Sequence, residues 1–307
     1  EGDPPLGNTN YSEIIIDGSL VAVGTVTDSI IFISNAEVPA KTDWYGFRTN
    51  SPHVIHLSYV SFQHASYIFN NGIYMTDGDS LRITHSYFRD IDRNAFNSIN
   101  EITSNAKFVI QNNIFETNDE DNCFMERCYI RSGGLMQVEG NSFLGGRLFS
   151  PYYQTEIYDA DSKFIYTDNI SINKSDISVT IDISDDFIPN EDMVIIRNNQ
   201  FNYANPNNGS PAVISLDGGG KGYFLFKGNT LDGTNLGINN ALSARVQDNT
   251  IKNSYGISLF NTNALLERDT LINNKGSGVS VYTSFDYQHT VKDTIRYCLI
   301  TGNNTSN

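Results

Sequence analysis

The sequence has few of the residues that cross-link a small domain or fix rigid bends. Its 307 residues include only three cysteines, eight prolines and one tryptophan. Three cysteines cannot form a disulfide framework, and their odd number leaves at least one thiol unpaired. We therefore expect Cys123, Cys128 and Cys298 to act as small buried hydrophobic residues.

Charged residues are also scarce, and most of those present are acidic. They make up 18% of the chain, with a formal net charge of −15 and a pI near 4.6. A protein that binds nucleic acid needs clustered Lys and Arg to neutralise phosphates, so this charge argues against such a partner. Apolar runs fall short of the roughly 18 residues that a membrane-spanning helix needs, so we expect no membrane insertion.

Asn, Ser, Thr, Gly, Tyr and Phe are abundant instead, as is typical of β-strands and turns. A short motif recurs among them: an apolar residue, two variable positions, an anchor that is usually Asn, one variable position and a large apolar residue. The clearest copies are VEGNSF, IRNNQF, IQNNIF, FKGNTL and VQDNTI, and the weaker ones are LSYVSF, ITHSYF, IYTDNI, LERDTL and TIRYCL. The ten anchors, spaced by 20 to 31 residues, are Val60, Ser86, Asn113, Asn141, Asp168, Asn199, Asn229, Asn249, Asp269 and Tyr297.

A repeat of this length with short alternating runs and no helical periodicity predicts one coil of a β-solenoid. We expect an all-β, single-stranded right-handed parallel β-helix of about eleven coils. One domain would cover residues 1–307, with N-terminal coils in 1–53 and ten repeat coils in 54–307. Because the chain stops in mid-pattern at TGNNTSN without a cap, we expect either a fragment of a larger protein with adjoining domains or a partner that covers this end.

Stacking the copies predicts two internal columns of apolar side chains, with neighbours about 4.8 Å apart. Three residues before the anchors lie Leu57, Ile83, Ile110, Val138, Ile165, Ile196, Phe226, Val246, Leu266 and the polar exception Thr294. Two residues after the anchors lie Phe62, Phe88, Phe115, Phe143, Ile170, Phe201, Leu231, Ile251, Leu271 and Leu299.

The anchor column itself predicts a turn position with a left-handed backbone, which Asn and Asp tolerate. Stacked amides can then hydrogen-bond to one another along the axis. We expect this ladder to stop at Val60, Ser86 and Tyr297, which have no amide side chain.

With these residues in view, a family resemblance emerges. The stretches GIYMTDGDSLRITHSYF, GNTLDGTNLGINN and VQDNTIKNSYGISLF resemble the NosD-like and carbohydrate-binding or sugar-hydrolase (CASH) repeats of right-handed β-helix proteins. An N-terminal segment resembles the opening of large secreted bacterial surface proteins, through Gly18, Leu20, Ala22, Gly24, Thr25, Ile30, Phe32, Trp44 and Gly46. Such repeats serve adhesins, stalks, lyases and glycosidases, so the resemblance implies a fold and leaves the activity open.

The alignment places several polar residues in one strip over three coils. A lyase site needs a base and a cation, and a glycosidase site needs two carboxyls. The candidates for either site are His64, Arg89, Asp90, Asp92, Glu116 and Asp119. An ordinary solvated face with an ion pair between Arg89 and Glu116 is the alternative reading.

Two loops carry further candidates. The acidic insertion around 182–193 offers oxygen ligands for calcium, without an EF-hand pattern, in Asp182, Asp185, Asp186, Glu191 and Asp192; an ordinary solvated loop is the alternative that we favour. The tyrosines Tyr152, Tyr153 and Tyr158 have flat rings that can stack on sugars or serve in packing. The histidines show no zinc spacing, so calcium is the one cofactor we consider.

Together these observations favour a non-catalytic module, extracellular or on a bacterial cell surface, that acts as a spacer or binds a polysaccharide or cell-surface glycan. The alternative is a polysaccharide lyase or glycoside hydrolase that acts on acidic polysaccharide in a groove along the helix.

Overall fold

The computed structural model describes residues 12–50, 53–117, 123–125, 127–149, 155–173, 178–183, 193–203, 212–284 and 291–304. Within these ranges the chain forms strands and turns, and its strands pair in parallel. None of these residues forms a helix long and apolar enough to span a membrane.

The strands are short, apart from two long ones near the middle of the chain. The first eleven are β1 (Ser12–Ile16), β2 (Leu20–Val23), β3 (Ile30–Phe32), β4 (Trp44–Thr49), β5 (Val54–Ser58), β6 (Val60–Gln63), β7 (Phe69–Met75), β8 (Ser80–Thr84), β9 (Tyr87–Arg89), β10 (Phe96–Ile102) and β11 (Lys107–Gln111). The next eleven are β12 (Ile114–Glu116), β13 (Cys123–Met125), β14 (Cys128–Ile130), β15 (Leu135–Glu139), β16 (Ser142–Leu144), β17 (Arg147–Phe149), β18 (Thr155–Ile157), β19 (Lys163–Thr167), β20 (Ile170–Asn173), β21 (Ser178–Ile183) and β22 (Val194–Arg197). The last eleven are β23 (Gln200–Tyr203), β24 (Ala212–Lys227), β25 (Thr230–Asp232), β26 (Thr234–Gln247), β27 (Thr250–Lys252), β28 (Gly256–Phe260), β29 (Ala264–Glu267), β30 (Thr270–Ile272), β31 (Gly278–Tyr282), β32 (Thr294–Arg296) and β33 (Leu299–Thr301).

These strands form three faces of a parallel β-helix. Face 1 comprises β1, β4, β7, β10, β13, β14, β17, β18, β21, β28, β31 and the first halves of β24 and β26. Face 2 comprises β2, β5, β8, β11, β15, β19, β22, β29, β32 and the second halves of β24 and β26. Face 3 is an 11-stranded sheet of β3, β6, β9, β12, β16, β20, β23, β25, β27, β30 and β33. Eleven strands on face 3 mean eleven coils, which confirms the predicted fold and coil number.

Side chains alternate between the inside and the outside of the tube because successive residues of a strand point to opposite sides. On face 3 the inward position holds a column of rings that includes Phe62, Phe88, Phe115 and Phe143. Phe88 and Phe115 stack at 4.8 Å between centroids, and Phe115 and Phe143 at 5.2 Å. All four rings are buried. The predicted internal column is therefore confirmed for these coils, and it joins neighbouring coils into one core.

The coil that follows Asn141 departs from the predicted register. Ser142 pairs with Ile170 and Phe143 with Ser171, so the ladder residue is Asn169 and the alignment on Asp168 is wrong by one position. The inward side chains are then Tyr166 and Ser171, while Ile165 and Ile170 point outward. The reason is physical: a neutral amide continues the buried ladder, which an ionised carboxylate would interrupt.

The Asn ladder runs along the corner between faces 2 and 3. Each amide Nδ2 donates to the Oδ1 of the next ladder residue and to a carbonyl of the preceding coil, as when Asn199 Nδ2 donates to Asn229 Oδ1 and to Tyr166 O, both at 2.9 Å. The fully connected members are Asn113, Asn141, Asn169, Asn199, Asn229 and Asn249.

Ser86 does not stop this ladder, contrary to the prediction. Its N–H donates to Asn113 Oδ1 at 2.9 Å, and its Oγ accepts the Val60 N–H at 3.1 Å. A serine hydroxyl is enough to continue the series because it can both donate and accept.

The left-handed conformation lies one residue before the ladder. Its predicted location is therefore wrong for the anchors that are ladder residues, whereas Asp168 and Tyr297 have it because they precede the ladder. The residues with positive φ there are Tyr59, His85, Asn112, Gly140, Asp168, Asn198, Gly228, Asp248, Arg268 and Tyr297. The ladder residues need an ordinary backbone, because their N–H groups bond to the next coil. The turn is made by their predecessors, which point outward.

The last coil is shifted in the same way. Leu266 pairs with Ile295 and Leu271 with Ile300, which puts Cys298 at the ladder position predicted for Tyr297. Ile295 and Ile300 therefore take the inward columns instead of Thr294 and Leu299.

The cysteine prediction is confirmed for Cys128, which is a free thiol with no exposed surface and whose pKa burial raises. Cys298 is free and only half-buried. The side chain of Cys123 lies outside the described part of the structure.

Candidate functional site

The predicted polar strip lies on the outward side of face 3 and in the turn that follows. Arg89 stands between Gln63 and Glu116 on adjacent strands. Its Nη2 donates to Gln63 Oε1 at 3.1 Å, and its Nε lies 3.0 Å from Asp90 Oδ2. His64 Nδ1 lies 3.9 Å from the same carboxylate oxygen. Three members of the strip therefore meet at Asp90.

The other two described acids of the strip have separate partners. Tyr87 donates its hydroxyl to Glu116 Oε2. Partial burial and this carboxylate raise the pKa of Tyr87. Asp92 Oδ1 lies 3.6 Å from Lys41 Nζ. The strip is thus divided into local pairs, and Asp119 lies outside the described residues.

His64 and Asp90 also have a role in the backbone. They occupy the same turn position in successive coils, with φ of 60° and 53°. Asp and His adopt this left-handed conformation more often than most other residues do. The turn explains their residue types without chemistry, and a catalytic role for the strip stays a prediction.

Of the three candidate tyrosines, only Tyr158 is described; Tyr152 and Tyr153 lie outside the described residues. The Arg131 guanidinium carbon lies 4.0 Å from the centre of the Tyr158 ring, and the Tyr158 hydroxyl donates to Glu156. Partial burial and this hydrogen bond raise the pKa of Tyr158. One face of the ring is therefore covered by Arg131, so a sugar would have to use the other face.

Of the calcium candidates, only Asp182 is described; Asp185, Asp186, Glu191 and Asp192 lie outside the described ranges. Asp182 lies in register with Glu156 and Asp217 on neighbouring strands, so three carboxylates follow one another along face 1. Within the described residues, no group of three or more His, Cys, Asp or Glu side chains could hold a metal ion. The calcium site stays a prediction.

A groove of about 400 Å³ opens on face 1, on the outward side of β24, β26, β28 and β31. Its floor is a row of small residues in register, with Gly237 beside Ser258 and Ser258 beside Ser280. The rings of Tyr255 and Tyr282 line it and are 49% and 57% exposed. The groove therefore offers hydroxyls below and two accessible aromatic rings at its sides.

A second amide ladder holds the turn that carries Tyr255. Ser254 donates its N–H to Asn274 Oδ1 at 3.1 Å, and Asn274 donates Nδ2 to Asn303 Oδ1 at 2.9 Å. The Tyr255 N–H donates to Asn235 Oδ1 at 2.6 Å, which ties the turn to the preceding coil. These bonds fix the backbone at the groove.

Glycine is required just after this turn. Gly256 has a φ of +95°, and a Cβ on it would lie 2.1 Å from the carbonyl oxygen of Gly278. Neighbouring coils can approach this closely here only without a side chain on Gly256.

None of the groove residues was predicted as a site. The alternation in GISLF and GVSVY indicated that Ser258 and Ser280 point outward, but a polar outward residue is ordinary. The signal that could have found the groove is the aromatic pair, with Tyr255 just before one aligned strand and Tyr282 at the end of the next. Comparison of the chain with models of known families, with curated proteins and with solved structures found no match.

Proposed function

We propose that this chain is a rigid module of a secreted or cell-surface bacterial protein, which spaces adjoining domains and binds glycans as an adhesin does. The observation that carries the proposal is the groove on face 1. Two exposed tyrosine rings there flank a row of small hydroxyl side chains. Sugars present C–H faces that pack on aromatic rings, and hydroxyls that exchange hydrogen bonds with Ser and Asn.

Two features of the sequence support the proposed location. The segment from Gly18 to Gly46 resembles the opening of secreted bacterial surface proteins, and the repeats resemble the NosD-like and CASH types.

The test combines binding with turnover. The purified chain is applied to a glycan array, and it is incubated with acidic polysaccharides with and without calcium while unsaturated products and new reducing ends are monitored. We expect binding without turnover.

Turnover that disappears with Asp90→Ala or Arg89→Ala would overturn this proposal. It would establish instead a polysaccharide lyase or glycoside hydrolase centred on the carboxylate where Arg89 and His64 meet. Turnover that requires calcium and is lost with Asp182→Ala would place that chemistry at the acidic insertion.

A further inference from the structure

The floor of the groove is a row that runs along the axis of the β-helix. Gly237, Ser258 and Ser280 occupy equivalent outward positions on three successive coils. Successive strands of a sheet lie about 4.8 Å apart. An extended ligand that lies along the axis would therefore contact a new coil at each such interval. On two of these three coils it would contact a serine hydroxyl.

The sides of the groove present ring surface that the protein itself does not cover. Tyr255 projects from the turn before β28, and Tyr282 ends β31. Both rings are about half exposed, whereas the ring of Tyr158 is covered on one side by Arg131. Exposed rings on a backbone fixed by hydrogen bonds lose little conformational freedom when a ligand stacks on them.

The described residues that line the groove carry no charged side chain. The residues that line it are Val213, Asn235, Leu236, Gly237, Tyr255, Gly256, Ile257, Ser258, Gly276, Ser277, Ser280 and Tyr282. No Lys or Arg is among them, so a carboxylate or sulfate of a ligand would find no cation there.

The surface beside the groove is acidic. The outward row Glu156, Asp182 and Asp217 continues along face 1 through Asn239, which pairs with Phe260. A polyanion laid along this face would run from an uncharged groove into three carboxylates, where repulsion acts over about 10 Å at moderate salt.

We propose that the groove takes an uncharged oligosaccharide, extended along the axis, with sugar rings stacked on Tyr255 and Tyr282 and hydroxyls bonded to Ser258, Ser280 and Asn235. This inference rests on the proposed function and names its ligand class. It predicts that acidic polysaccharides are the wrong ligands for this site.

Gly237 gives a way to close the groove without unfolding the chain. A Cβ there would contact only the Ile214 carbonyl oxygen, at 3.8 Å, and the φ of Gly237 suits any residue. Phe also favours strands more than Gly does. Gly237→Phe should therefore fold and fill the groove, and Thr250→Phe, on the outward side of face 3, is the matched control.

The experiment measures the affinity of the chain and its variants for hexasaccharides of glucose, N-acetylglucosamine and mannose, and for polygalacturonate. We expect at least one uncharged hexasaccharide to bind. Gly237→Phe and Tyr255→Ala should each weaken that binding by about tenfold or more, and Thr250→Phe should change it less than about twofold. Thermal unfolding of each variant verifies that it is folded.

The remaining outcomes separate the inference from the proposed function. Uncharged binding that survives both Gly237→Phe and the double variant Tyr255→Ala/Tyr282→Ala overturns the groove and leaves glycan binding intact. A preference for polygalacturonate overturns the ligand class alone. Failure of every glycan, on the array as well as among these probes, overturns both.

Discussion

The hydroxyl oxygen of Tyr166 lies 3.2 Å from Ser171 Oγ, inside the core and away from water. Ser171 occupies the inward position that aromatic residues hold in the coils on either side, and Tyr166 on face 2 extends into the space this leaves. The Tyr166 ring lies 6.3 Å from that of Phe143 and 5.9 Å from that of Phe201, so it bridges the aromatic column.

This pair predicts a non-additive response to mutation. Tyr166→Phe leaves the Ser171 hydroxyl without this partner, and we expect it to lower the free energy of unfolding by about 1–2 kcal/mol. Adding Ser171→Ala removes the orphaned group and should recover most of that loss. Denaturant unfolding of the two single variants and the double variant measures the coupling; strict additivity would contradict it.

A central ladder residue should be more costly to lose. Asn199→Ala removes the acceptor of the Asn169 N–H and Nδ2 and the donor to Tyr166 O. Each buried group left unpaired costs roughly 1–3 kcal/mol, so we expect a loss of several kcal/mol or failure to fold. Gln200→Ala, whose side chain is exposed on the next position, is the control and should change stability by less than about 0.5 kcal/mol.

The ladder ends on an acid, and this makes stability depend on pH. Asp269 Oδ1 accepts both donors of Asn249, whereas its fully buried Oδ2 has no partner. In the preceding coils the Asn side chain has Nδ2 in place of this oxygen and donates it to a carbonyl, as Asn249 does to Phe226 O, whereas a carboxylate oxygen cannot donate. Burial raises the pKa of Asp269 to about 6, although its hydrogen bonds with Asn249 oppose the rise.

Because the folded state holds this proton more tightly than the unfolded chain, the stabilisation is present below about pH 4 and is lost as the pH rises through about 6. Asp269→Asn should remove that decline and stabilise the chain at pH 7 by about 1–3 kcal/mol. Unfolding measured from pH 4 to pH 7 tests this. Asp248→Asn is the control, since hydrogen bonds from Arg268 lower the pKa of Asp248 and its loss should not stabilise.

The left-handed turn predicts a further pair of variants. Asn198 has a φ of 58°, just before ladder residue Asn199. Asn198→Val should cost about 1–2 kcal/mol because a β-branched residue is strained there, whereas Asn198→Gly should be nearly neutral. The control Asn202→Val, on the outward side of β23, should be tolerated. Equal losses for all three would show that the turn does not limit stability.

The fold could be predicted from the sequence because each coil must bury its apolar residues against the next. Phe115 and Phe143 fall into one column whatever the turns between them do. At Ile165 and Tyr166 the pattern allowed either residue to point inward. Apolarity favoured Ile165, but the ladder position of Asn169 sets the register so that Tyr166 points inward. The motif predicts the length of each coil and which of its residues are buried. It does not show which of two adjacent polar residues forms hydrogen bonds to the neighbouring coils.

The candidate groove could not be predicted in the same way. Gly237, Ser258 and Ser280 meet only because the coils there have their particular lengths, and an outward serine has no distinctive signal. His64 and Asp90 lie together as their alignment predicted, since they share a turn position in successive coils.

The coils are unequal: ladder residues are 30 apart from Asn169 to Asn229 and 20 apart from Asn229 to Asp269. The hydrogen bonds between coils lie along the rod, so a tether that pulls on one end detaches the outermost coil before the next is loaded. Extension under force should advance in discrete steps whose size follows the length of the coil that detaches. A 20-residue coil should release about 70 Å of chain and a 30-residue coil about 100 Å. The sizes of successive steps would then give the order in which the coils unfold.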